Sequence, residues 1–138
     1  MKFSHFILTR FNVKNMFGTT TDKYDNEVLT IDWLKHRFEL FENYCLPSII
    51  NQKNNNFQWL IYFDLDTNKF YLNKIKLLQS KYSFIKTVFV QDVSHMFSTL
   101  KQDIDKLIIS PTEYLITTTL DNDDCLHEGA IGSIQDQF

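Results

Sequence analysis

Residues 121–124, Asp-Asn-Asp-Asp, follow the apolar and threonine-rich run 113–120, EYLITTTL, and place three carboxylates within four positions. Carboxylates held so close repel one another, and a divalent cation removes the conflict; Mg²⁺ typically uses one or two of them together with phosphate oxygens and water. In an extended segment leaving a strand, Asp121 and Asp123 point the same way. The occupant suited to such a pair is a diphosphate carried on Mg²⁺ or Mn²⁺, where the metal neutralises charge on a departing phosphate. The same residues also read as a polar turn capping the next helix. A calcium loop fits poorly, because Gly132 and not Glu stands twelfth from Asp121. His127 reads as a solvent-facing residue of the first helical turn, since an oxygen-rich cluster selects hard cations.

Four strands and four helices must position this loop. Ser4 to Phe11 suit a buried strand, and the polar stretch from Asn12 to Thr30, with Gly18, reads as a long loop of the kind that is functional or mobile. From Asp32 as N-cap, Leu34, Phe38, Phe41 and Cys45 recur at helical spacing, while Lys35, Arg37, Glu39 and Glu42 face outward. Pro47 should kink or restart that helix. FQWLIYF, residues 57–63, is a strand covered on both faces and ends at Asp64. Tyr71, Ile75, Leu78 and Tyr82 mark a second helix, FIKTVFV at 84–90 a third strand, and Phe97, Leu100, Ile104 and Leu107 a third helix stopped before Pro111. EYLITTTL is the fourth strand, and Ile131, Ile134 and Phe138 outline a last helix.

This alternation predicts an α/β fold, a mostly parallel sheet with helices on both faces, in a single domain spanning 1–138. Ligands of such sheets lie beyond the carboxyl ends of the strands, so the loops after Phe11, Phe63 and Leu120 matter most.

The totals narrow the classes. A content of 43% hydrophobic and 15% aromatic residues in 138 residues is that of a folded globular chain able to bury a sizeable core. A net charge of -3 without a dense Lys/Arg block argues against nucleic acid or an anionic membrane as the main partner. Cys45 and Cys125 follow no metal or disulfide spacing, which suits a reducing compartment. No signal peptide or membrane span is read, and a cytoplasmic location is expected.

LTRFNV at 8–13, WLKHRFELFENYCLPSIINQ at 33–52, FQWLIYFDLDT at 57–67 and LITTTLDNDDCLH at 115–127 together resemble the putative rhamnosyltransferases, glycosyltransferases of the GT-A fold. The resemblance implies a Rossmann-like domain that binds a nucleoside-diphosphate sugar with Mn²⁺ or Mg²⁺ and serves a glycan or lipid-linked acceptor, in surface polysaccharide synthesis. It implies that Thr9, Arg10, Phe11 and Asn12 line the nucleotide cleft and that Asp64 hydrogen-bonds an imide N–H of the base. Asp121 would face the ribose or a metal-bound water, Asp123 would hold the cation, and Asp124 would lie beside the sugar or position the loop. On its own chemistry Arg10 suits a phosphate, Asp64 or a surface salt bridge.

GT-A domains continue past this motif into segments that bind the acceptor and supply the general base. The chain is therefore expected to be the donor-binding part, a fragment with little transferase activity of its own. Two other readings stand beside this one. FDLDT is similar to the motif of haloacid-dehalogenase-type phosphatases with Asp64 as nucleophile, although its Thr comes one residue early. A non-catalytic interaction module, self-associating through a truncated sheet edge, is the other.

Overall fold

A computed structural model describes residues 2–15 and 30–138; most of the expected Asn12–Thr30 loop, including Gly18, lies outside the described residues. Four strands, β1 (Phe3–Arg10), β2 (Gln58–Asp64), β3 (Ile85–Val90) and β4 (Tyr114–Thr119), form one sheet in the order β3-β2-β1-β4. Every pairing is parallel. The helices are α1 (Ile31–Leu40), α2 (Leu46–Ile50), α3 (Lys69–Lys81), α4 (Val93–Asp105) and α5 (Ala130–Gln135). This is a Rossmann-like α/β fold, as the alternation of elements predicts.

Side chains alternate across a strand, and the core accordingly divides in two. On one face Ile7, Trp59, Ile61 and Phe63 pack with Leu34 and Phe38 of α1, Cys45, Ile49 of α2, Ile75 of α3 and Ile131 of α5. On the other, Phe6, Leu60 and Tyr62 meet Val93, Met96 and Ile104 of α4. β2 has a continuous apolar sequence because both of its faces are covered: all of Trp59 to Asp64 is buried.

Several local expectations are corrected. The N-cap of α1 is Thr30, whose hydroxyl accepts from the Trp33 N–H at 3.1 Å; Asp32 lies in the first turn, where its charge faces the positive end of the helix dipole. Pro47 restarts the helix, as expected. Phe41–Cys45 widens into a π-helical turn, in which the Leu46 N–H reaches Phe41 O, and Pro47 falls in the first turn of α2, where no donor is missed. Phe97 is 65% exposed, because the buried stripe of α4 runs through Val93, Met96 and Ile104. α4 stops before Pro111, as expected, but ends at Asp105, so Leu107 lies beyond it. In α5 the second buried position is Gln135, while Phe138 lies beyond the helix and packs on Tyr114.

The strand order carries the functional consequence. The chain steps outward from β1 to β2 to β3, then crosses back to the far side of β1, so direction reverses between β1 and β4. A crevice opens at such a reversal, at the carboxyl ends of the strands.

Candidate active site

The loop after β4 builds the first part of the site. The parallel ladder runs one residue beyond the strand, the Leu120 N–H donating to Leu8 O at 3.0 Å, and the Asp124 N–H then closes a turn on Asp121 O at 3.2 Å. The acidic segment is thus a turn, which corrects the expectation of an extended run. A turn folds the carboxylates inward: Asp121, Asp123 and Asp124, all exposed, offer oxygens within 4.8 Å of one another. Asn122, between them, is buried. Its Nδ2 donates to Phe11 O at 3.0 Å and its Oδ1 accepts from Arg37 Nη1 at 3.4 Å, tying the turn to the end of β1 and to α1.

Arg37 is the residue sequence reasoning missed most plainly. It does not face outward: Nη1 forms a salt bridge with Asp123 Oδ2, and the guanidinium lies over the Trp33 ring at 5.1 Å. The signal was its place on the rim of the apolar stripe, three residues after Leu34 and four before Phe41. Arg37, Arg10, Asp121, Asn122 and Asp123 line one cavity of about 300 Å³. Three convergent carboxylates are hard-oxygen ligands and fit Mg²⁺ or Mn²⁺, with the Arg37 cation already seated on one of them.

Behind the turn, the end of the long helix holds the loop. Cys45 Sγ donates to Asp121 O at 3.6 Å. Burial, with the acids nearby, pushes the Cys45 thiol up to about 12, so it stays a neutral donor. Ser48 Oγ accepts from the Leu126 N–H at 3.1 Å. Gln52 Nε2 donates to His127 O at 2.7 Å, and Gln52 Oε1 accepts from the Ile131 N–H at 3.1 Å. Ser48 and Gln52 are thus positioning residues, four apart on one side of the chain. His127 itself is exposed, as expected, but it lies before α5 and not in the first helical turn.

The end of β2 builds the second part. Asp64 is 5% exposed; its Oδ1 accepts from the Asp66 N–H at 2.7 Å, and Lys14 Nζ lies 3.7 Å away. Among the described residues its buried Oδ2 has no hydrogen-bond partner. Lys14 also binds Asp66 at 3.1 Å, and that hydrogen bond holds the ammonium above its ordinary range. Asn12, Lys14, Asp64 and Thr67 line a neighbouring cavity of about 290 Å³.

The four β1-end residues behave differently from one another. Thr9 does not offer its hydroxyl to the cleft: it is 1% exposed and accepts from Trp59 Nε1 at 2.8 Å. The Phe11 ring is likewise core, 4.5 Å from Phe38 and 5.0 Å from Phe63, and what it gives the site is the carbonyl that Asn122 binds. Asn12 is buried and locks strand ends together, its Oδ1 accepting from the Asp64 N–H at 3.0 Å and its Nδ2 donating to Thr67 Oγ1 at 3.1 Å. Arg10 remains exposed and lines the cavity with the acids; Lys14 takes the place beside Asp64 that the sequence offered to Arg10.

A parallel sheet with its acidic turn and its buried strand-end aspartate on either side of the reversal defines a Rossmann-like α/β chain. The chain belongs to the family described as putative rhamnosyl transferase, whose model matches residues 2–138 and whose name is that of a glycosyltransferase. No curated protein matches it. Among the described residues no helix is long and apolar enough to cross a membrane.

Proposed function

We propose that the chain is the donor-binding part of a metal-dependent GT-A glycosyltransferase, a rhamnosyltransferase by family, that takes a sugar from a nucleoside diphosphate to a glycan or lipid-linked acceptor in surface polysaccharide synthesis. The observation that carries this reading is the convergence of Asp121, Asp123 and Asp124 at the carboxyl end of β4, beside the reversal of strand order, in a chain of this family. Those three carboxylates would hold Mn²⁺ or Mg²⁺, which when bound neutralises charge on the leaving diphosphate. Arg10 adds a positive charge to the cavity that Asp121 and Asp123 line. Asp64 Oδ2, a buried acceptor without a donor among the described residues, would receive the imide N–H of the base. Asn12 and Thr67 fix that carboxylate through its backbone, since the Thr67 hydroxyl donates to Asp64 O at 2.6 Å.

The phosphatase reading of FDLDT has less behind it. The family is named for sugar transfer, and the Asp64 oxygen that accepts from the Asp66 N–H and faces Lys14 is not free to act as a nucleophile. The test of the donor-site reading is calorimetric titration of UDP, GDP and dTDP with and without Mn²⁺. Metal-dependent binding of at least one, lost in Asp123→Ala, is expected; binding of none, or equal binding by the variant, refutes it.

A further inference from the structure

We propose that Arg37 is a partner-switching residue of the donor site: it occupies Asp123 in the ligand-free chain and passes to the diphosphate when a divalent cation takes that carboxylate. The inference rests on the donor-site reading above and adds to it a residue and a coupling.

Three observations carry it. First, Arg37 reaches the acids from a different element, standing on α1 while they follow β4, and its guanidinium is held at the cleft by the Trp33 ring. Second, its hydrogen-bonding capacity is largely unspent. Among the described residues Nη1 alone serves both Asp123 and Asn122, while Nε is buried without a partner. A guanidinium built only to bridge would use its fork on both carboxylate oxygens. Third, the pair is exchangeable, since the Arg37 and Asp123 side chains are 29% and 36% exposed, and such pairs are weak.

The electrostatics then order the events. A divalent cation among Asp121, Asp123 and Asp124 outcompetes a single guanidinium for these oxygens, and two cations on one carboxylate repel each other. Arg37 and Arg10 line the same cavity as Asp121 and Asp123, so a diphosphate entering beside the metal is the nearest new anion for the released guanidinium. A planar fork suits phosphate oxygens. The nucleotide therefore draws Arg37 away from Asp123, and metal and nucleotide each raise the other's affinity by the same factor.

The test uses the full chain and two titrations. Mn²⁺ alone is titrated into wild type, Arg37→Met and Lys35→Met; the last removes the same charge from an exposed position of α1. Arg37→Met should bind Mn²⁺ roughly two- to fivefold tighter than both others, because its competitor is gone. At saturating Mn²⁺, whichever of UDP, GDP and dTDP the wild type binds tightest should bind Arg37→Met about tenfold more weakly. The two affinities thus move in opposite directions, which a merely structural bridge would not produce. If Arg37→Met does not fold, Arg37→Gln is read in the same way. A wild type that binds metal and nucleotide, with a variant in which both affinities fall or neither moves, overturns this inference alone. A wild type that binds neither overturns it together with the donor-site reading.

Discussion

Replacing Gln52 by Leu tests how the loop between the acidic turn and α5 is held. Gln52 is 7% exposed, and its side chain makes three hydrogen bonds: to Ser48 O at 3.0 Å, to His127 O at 2.7 Å and from the Ile131 N–H at 3.1 Å. Leu has nearly the same volume and none of these atoms, so packing changes little and the polar loss can be read almost alone. The His127 carbonyl keeps a second donor, the Ala130 N–H at 2.9 Å. The Ile131 N–H has no such reserve: it belongs to the first turn of α5, where the helix supplies no acceptor, and Ile131 is 0% exposed. An unpaired buried donor costs about 1–3 kcal/mol, and the two lost bonds to carbonyls bring the sum to about 2–6 kcal/mol. For a chain of this length that is roughly 6–30 °C in melting temperature. Thermal unfolding followed by circular dichroism measures it. The stabilisation of the variant by Mn²⁺ with nucleotide should also shrink, because α5 and the turn lose a common anchor. A drop of less than about 2 °C would show that Gln52 does not hold the loop, and the account of the site's rigidity would fail.

Three further outcomes follow from the same geometry. In Asp64→Asn, the amide oxygen must accept from the Asp66 N–H, which leaves an NH₂ where the free oxygen stood; nucleotide affinity should fall at least about tenfold while Mn²⁺ binding by calorimetry is unchanged. Thr9→Val strips the buried Trp59 indole of its acceptor and should cost about 1–3 kcal/mol in denaturant unfolding without altering metal affinity, which separates its structural role from a ligand-lining one. His5 is buried at the other end of β1, and burial holds its pKa below the ordinary 6.5. Gln135 Nε2 can only donate, so His5 Nδ1 accepts at 3.0 Å and Nε2–H donates to Thr118 Oγ1 at 2.8 Å, an arrangement of the neutral ring. The unfolded chain therefore takes the proton first. The contribution is complete above pH 6.5 and declines as pH falls from there toward the lower folded value, by no more than about 1.4 kcal/mol per pH unit. Comparing unfolding of wild type and His5→Phe across that window checks it; parallel profiles would contradict the assignment.

Much of the architecture was legible in residue order. FQWLIYF had to be a strand covered on both faces, and the 34, 38, 41, 45 spacing had to be a helix with that buried edge, because periods of two and of about 3.6 are properties of the chain itself. The acids of 121–124 could be assigned to a strand's carboxyl end for the same reason. Errors arose where a position lies at the edge of a pattern. Phe97 is apolar yet falls outside the α4 stripe, and Arg37 is charged yet sits on the rim of the α1 stripe, from which a long side chain reaches another element.

Residue types and periodicity alone determined a parallel α/β layer with carboxylates at its mouth. Which side chains serve the ligand and which serve the core was decided only by the tertiary structure. Thr9, Phe11 and Asn12 stand in one strand end, yet their partners Trp59, Phe38 and Thr67 come from elements far along the chain. The order β3-β2-β1-β4 is what sets Asp64 and the acidic turn on either side of β1, and the reach of Arg37 from α1 is what gives Asp123 its counter-ion. Local spacing fixes the direction in which a side chain leaves its own element. What it meets depends on elements more than 80 residues away, as with Arg37 and Asp123, and no local pattern encodes that distance.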